Sequence, residues 1–211
     1  MQLRVGPGLD VRTLHKKDVW DRPYFKDTRT GINYFTFNEE DNWELRHPCF
    51  TGIEVDDFQF VAEYLTDGAF GIRYPEGAEQ NKDAIAQCVS AWETAEKIGM
   101  ADMLEHIAEK VKFIEWDNED VLSLAILIYR TSGPIPHAHE MMRDWISTYL
   151  AYHYWGYIKD DALRDIFIKR LRNLPELERD VTVKRGQDLA IGAEADENAE
   201  SDEDEIGDDD L

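Results

Sequence analysis

The spacing of apolar residues changes period near residue 50, and that change fixes what this chain can fold into. Before it, apolar residues come in short alternating runs. Leu3–Val5 is stopped by Gly6-Pro7-Gly8, Val11–Leu14 resumes, and Ile32–Phe37 is aromatic and β-prone. Turns are expected at Thr30-Gly31 and Asn38–Asn42, on either side of that last run. After it, helical spacing takes over. Val55, Phe58, Ala62 and Leu65 share one helical face, with Asp56 and Asp57 at its positive end and Gly68 and Gly71 at its close. A short strand over Gly71–Tyr74 and a polar loop over Pro75–Asn81 are expected next.

Ile85, Cys88, Val89, Trp92 and Ala95 then mark a helix that Gly99 stops. Leu104, Ile107, Ala108 and Val111 mark another, and Asp120–Tyr129 is apolar nearly all round, the pattern of a buried central helix. Two prolines break the loop Thr131–His137. Met142, Trp145, Ile146, Tyr149 and His153 define a further helical face. Leu163, Ile166, Phe167, Leu171 and Leu174 define the next, capped by Asp160 or Asp161, and Pro175 opens a last short turn through Val181. A few strands followed by a run of helices give an α+β fold, a small sheet with a segregated α-helical cluster and then a helical extension.

Charge sharpens the division. Of 45 acids and 23 bases in 211 residues, 11 acids and no base fall in 193–211, so that segment holds half the net charge of -22. With Ile206 alone as a large aliphatic in its middle, it is expected to be a disordered acidic tail over 186–211. A chain this acidic repels a phosphate backbone, so direct nucleic-acid binding is not expected. No apolar run reaches the roughly 18–20 residues of a membrane span, and MQLRVGPGLD lacks the apolar core of a signal peptide. Two cysteines, Cys49 and Cys88, show no pairing pattern, and no Asn stands two before Ser or Thr. These point to the cytoplasm or nucleus.

Residues suited to chemistry are few. Gly6-Pro7-Gly8 lacks the Gly-Lys-Ser/Thr ending of a phosphate loop and reads as a turn. His137, His139 and Glu140 alternate in a metal-like way but lack a third ligand at a defined spacing. His15 and Asp18 are one helical turn apart with no nucleophile motif nearby. Cys88 falls on an apolar helix face and reads as core. No catalytic residue, cofactor or metal site is therefore expected. What stands out is aromatic: Tyr149, Tyr152, Tyr154, Trp155 and Tyr157 are denser than one core face requires. Tyr152 and Trp155 are taken as protein-interface candidates. Ser201, followed by Asp202-Glu203-Asp204-Glu205, has the form of an acidophilic kinase site.

Three stretches in this order resemble the BTB/POZ domain in its divergent fungal form. LRVGP (Leu3–Pro7) with VRTLHKKDVWDRPYF (Val11–Phe25) looks like the opening hairpin and first helix. GIEVDDFQFVAEYLTDGAF (Gly52–Phe70) looks like the central segment. AIAQCVSAWETAEKIGMADMLEHIAEKV (Ala84–Val111), with Ala95, Lys97, Ile98, Met100 and Leu104 in the recurring pattern, looks like the two closing helices. The likeness covers residues 1–115, and 116–185 resembles the helical extension of such proteins. It implies a non-enzymatic interaction module that dimerises or serves as an adaptor, with a partner protein, a cullin or itself, in a ubiquitin-ligase or a transcription or chromatin complex. On that reading Val19, Trp20, Tyr24 and Phe25 lie near a dimer face. The alternative of another class is an acidic-tailed scaffold or chaperone for basic clients such as histones or ribosomal proteins.

Overall fold

The computed structural model describes residues 1–27, 32–38, 42–130 and 135–187. The expected turn at Thr30-Gly31, most of the one at Asn38–Asn42, the start of the Thr131–His137 loop, and the acidic segment from 188 on with Ser201 lie outside the described residues. The α+β architecture is present: a four-stranded mixed sheet followed by a series of helices. The chain divides into two compact units. The first is Met1–Trp116 with Pro136–His139; the second begins at Asp117 and takes in the remaining helices.

In the first unit, β1 (Gln2–Val5) turns through Gly6, at φ +80°, into antiparallel β2 (Asp10–Thr13). A Cβ on Gly6 would press on Val55, so glycine serves both the turn and the close approach. On its other side β1 runs parallel to β6 (Trp43–Leu45), and β5 (Phe35–Phe37) completes the order β2-β1-β6-β5. The aromatic run expected as one strand is split. Its first residues, β4 (Ile32–Asn33), pair with β3 (Lys26–Asp27), because the Asn33 side chain accepts from the Phe35 N–H (3.1 Å) and breaks the ladder.

Leu3, Val5 and Leu45 point to the core side of the sheet and are fully buried. Beneath them Phe25, Phe50 and Phe58 form an edge-to-face chain with centroids 6.0 and 5.2 Å apart. Helices α1 (Lys16–Val19), α2 (Val55–Asp67), α3 (Gly77–Ile98) and α4 (Ala101–Lys110) follow. Gly68 and Gly99 end α2 and α3 in the left-handed conformation.

Two sequence expectations fail between α2 and α3. Gly71–Tyr74 is no strand: its N–H groups find side chains instead, Gly71 on Glu63 (2.8 Å) and Ile72 on Gln87 (2.9 Å). Pro75–Asn81 is no loop either, since α3 starts at Gly77. The Gln80 side chain accepts from the Glu76 N–H (3.0 Å), and Asn81 bonds both the N–H and the carbonyl of Glu115. This first turn is polar on nearly every side, which hides it from a periodicity reading.

The outer face of the sheet carries one buried charge. Glu44 lies opposite Gln2 and beside Arg4, and its side chain is wholly covered. Arg4 Nε reaches it at 2.7 Å and Arg46 Nη2 at 2.8 Å, while both arginine heads stay largely in solvent. The arginine stems roof the carboxylate. The Arg46 hydrogen bond, and after it that of Arg4, hold the Glu44 carboxyl below its ordinary 4.5 against the opposing effect of burial.

The second unit comprises α5 (Asn118–Tyr129), most of α6 (His137–Tyr152), α7 (Tyr154–Lys159), α8 (Asp161–Asn173) and α9, over 175–187. Asp160 is the cap of α8, accepting from the Ala162 and Leu163 N–H groups. The segment after Pro175 is a full helix rather than a turn ending at Val181. Leu177 and Val181 anchor one face of it in the core, and Pro175 sits at a first-turn position where its missing N–H costs nothing.

A carboxyl held below its ordinary value stabilises the fold fully above pH 4.5, and that contribution drains away as pH falls through the lowered folded value. Glu44→Gln is therefore expected to lose about 1.5–3 kcal/mol at pH 7. The two proteins should converge as acid is added below 4.5; urea unfolding at several pH values measures this.

Candidate functional site

The second unit presents an aromatic surface at the junction of α6 and α7, where the helix breaks at His153. The break sorts the tyrosines. Tyr157 turns inward, fully buried, stacks on Phe167 with centroids 4.6 Å apart, and donates its hydroxyl to the Asn118 carbonyl (2.8 Å). Tyr149 is half-buried, its ring 4.4 Å from His153 and its hydroxyl 3.3 Å from the Asn118 side chain. Tyr154 is half-buried against Phe167. Tyr152 and Trp155 are left outside, 79% and 60% exposed. The Arg185 guanidinium, from α9, lies 3.7 Å over the Tyr154 ring and 5.4 Å from the Trp155 ring.

Packing behind this surface holds it in place. Arg143 on α6 is buried, its guanidinium 4.6 Å from the Tyr129 ring centre and paired with Glu176 on α9 at 2.5 Å. Its Nε and Nη2 are buried with no acceptor among the described residues, so Glu176 carries most of the compensation. The Tyr129 hydroxyl bonds the Asp180 carboxylate (3.1 Å), and Lys184 pairs with Asp144 (2.6 Å). Burial, followed by Asp180, pushes the Tyr129 hydroxyl well above its ordinary pKa, so it stays a neutral donor.

Sequence reasoning placed Tyr152 and Trp155 on a surface, and they are the outward residues here. It missed Arg185, because only a short turn through Val181 was expected after Pro175. The signal was available in Lys184-Arg185, since basic residues favour the last turn of a helix.

The four candidates in the early segment do not share a face. Val19 and Phe25 are 0% exposed and belong to the core, so neither can meet a partner in this fold. Trp20 is half-buried against Phe35 and Trp43, with centroids at 4.7 and 4.9 Å, and the Lys16 ammonium lies 3.8 Å over its ring. Tyr24 is half-buried with its hydroxyl enclosed and unpartnered among the described residues; burial, then Asp102, raises its pKa. Val19 closes the four-residue α1, and Tyr24 and Phe25 lie on the 3-10 turn Pro23–Phe25; elements this short have too little helix to separate an inner from an outer face.

The titratable groups fall into separate settings. His139 is buried against Trp92 and bonds Glu96 at 3.2 Å, whereas His137 two residues earlier is exposed. His15 meets Asp18 through backbone only. Cys88 is 2% exposed, and burial pushes its thiol up to about 11; Cys49 is half-buried. Among the described residues no group of three or more His, Cys, Asp or Glu is placed to hold a metal ion, and no helix is long and apolar enough to cross a membrane.

Comparison with protein-family models, with curated proteins and with solved structures finds no match to this chain. Its surface must be interpreted from its own chemistry.

Trp155→Ala removes a side chain that is mostly in solvent and is expected to change stability by less than about 1 kcal/mol. Glu176→Ala strands the buried Arg143 charge and is expected to cost about 3 kcal/mol. Paired thermal melts compare the two.

Proposed function

We propose that the chain is a non-enzymatic protein-interaction module that docks a partner protein on the Tyr152–Trp155–Arg185 surface. One observation carries this reading. Two large aromatic side chains are held mostly in solvent beside a guanidinium already stacked on a ring, over a tightly packed base. Tyr, Trp and Arg are the residues that dominate binding energy at protein interfaces. Burying Trp155 and Tyr152 under a partner removes a large apolar area from water, and aromatic rings lose little rotamer entropy on docking. The order of BTB/POZ-like stretches in the sequence supports the same adaptor role. Two free thiols, Cys49 and Cys88, suit a reducing compartment, cytosol or nucleus.

The experiment uses the full chain. Affinity capture from cells, with partners identified by mass, is compared between wild type and Tyr152→Ala/Trp155→Ala. The double variant is expected to lose its specific partner by about tenfold or more while melting at the same temperature. An unchanged partner set with an unchanged melting temperature overturns the reading. Solution mass of the same samples shows whether the partner is a second copy.

A further inference from the structure

The first unit holds a cleft of about 300 Å³ that the interaction reading does not use. It is lined by Phe70, Arg73, Tyr74, His106, Lys110 and Phe113, with Ala69 and Glu109 at its sides. Its position follows from local structure already described. The bent segment after α2, held by Glu63 and Gln87, carries Phe70, Arg73 and Tyr74. Helix α4 supplies His106 and Lys110, and the 3-10 turn Val111–Phe113 supplies Phe113.

Two kinds of surface meet there. The first is aromatic. Phe70 is buried with its ring 5.9 Å from the His106 ring, while Tyr74 and Phe113 are 82% and 73% exposed. Rings that large are left in water at a cost unless something packs on them. The second is cationic. Lys110 Nζ donates to the Phe70 carbonyl (2.7 Å) and sits 4.1 Å over the Phe70 ring, which uses one of its three N–H donors there. Arg73 is exposed and makes no ion pair among the described residues. The one carboxylate in the lining, Glu109, is paired with Lys112 at 2.8 Å. In a chain with 45 acids and 23 bases, a cleft whose two cations, Arg73 and Lys110, are left without an ion pair among the described residues is a departure from the composition.

The charge state of the cleft agrees. Lys110 is held below its ordinary value by burial, which outweighs the opposing pull of Cys88 and Glu63, with a lesser contribution from Arg73. His106 is lowered by burial, then by Lys110 and Arg73. Burial disfavours the charged forms of both Lys110 and His106, a condition that an incoming anion relieves.

We propose that this cleft binds a small anion carrying a planar ring, of the aryl phosphate or aryl carboxylate class. The ring packs against Phe113, Tyr74 and the Phe70 wall, and the anionic group meets the Lys110 ammonium and the Arg73 guanidinium. An arginine fork donates two parallel N–H bonds to a phosphate or carboxylate, and the lysine adds a point charge. A volume of about 300 Å³ lies at the small end of ligand sites, which favours a single ring over a dinucleotide or a sugar chain. None of its lining residues belongs to the aromatic surface of the second unit, so its occupancy and partner docking are tested independently.

The test is titration of the isotope-labelled full chain, followed by amide NMR, with three probes: phenyl phosphate, inorganic phosphate and phenol. Phenyl phosphate is expected to saturate, to shift amides around Phe70, Arg73, Lys110 and Phe113, and to bind about tenfold tighter than either probe alone. Arg73→Gln and Phe113→Ser replace exposed side chains and leave the fold intact. Each is expected to bring phenyl phosphate down to the affinity of the lesser probes. Inorganic phosphate binding as well as phenyl phosphate overturns the aromatic half of the proposal. Unchanged phenyl phosphate affinity in both variants, shifts elsewhere on the protein, or no saturation overturns it as a whole.

Discussion

The parallel pairing of β1 with β6 is the constraint on which the first unit rests. Strands of two to four residues have little stability of their own, and β1 acquires its place by bonding on both edges, to β2 and to β6. The register that aligns Leu3 with Leu45 sends both to the core and, in the same stroke, sets Glu44 beside Arg4 on the outer face. A shift of one residue would bury the arginine and expose the leucines. The covered carboxylate therefore acts as a register pin: the ion triplet forms only when the hydrophobic side is correct. Because the pairing links residue 3 with residue 45, it closes a long loop, and the aromatic chain Phe25–Phe50–Phe58 supplies burial that offsets the closure entropy.

The second unit is organised by a different economy. Its helices are tied by polar contacts that run from the buried Arg143 and Tyr129 to Glu176 at the surface and the half-buried Asp180, joining α5, α6 and α9. Such contacts are directional and fix the angle at which α9 crosses its neighbours. That angle is what delivers Arg185 to the face of Tyr154. The exposed rings of Tyr152 and Trp155 are thus presented beside a helix that these contacts hold in place. Proteins that rely on a few aromatic anchors need this arrangement, because a ring on a mobile support loses on ordering what it gains on contact.

Much of this was legible in the amino-acid sequence. The change of period near residue 50 gave the α+β class, and Gly68 and Gly99 gave two helix ends. The density of aromatics around residue 150 pointed to Tyr152 and Trp155. The failures have common causes. Polar first turns, as in Gly77–Asn81, carry no hydrophobic period, so a helix start held by Gln80 and Asn81 reads as loop. Gly71–Tyr74 has strand composition, yet its N–H groups are satisfied by side chains on two helices, a tertiary choice that no local pattern encodes. Val19 and Phe25 show the limit for surfaces: apolar residues on very short helical elements are equally compatible with an interface and with a core, and only the three-dimensional neighbours decide. The cleft formed by Phe70, Arg73, Lys110 and Phe113 was invisible for the same reason, being assembled from three segments.

The environment of Cys88 has a practical consequence. A thiol raised to about 11 is ionised in only about one molecule in ten thousand at pH 7, and the α3 core around it admits little reagent. Cys49, on the 3-10 turn Pro48–Gly52, is the more accessible of the two. The folded chain therefore behaves as a protein with one addressable sulfur. A maleimide dye or spin label would mark the turn that follows β6 selectively, and the appearance of a second reactive thiol would report that α3 has left its place.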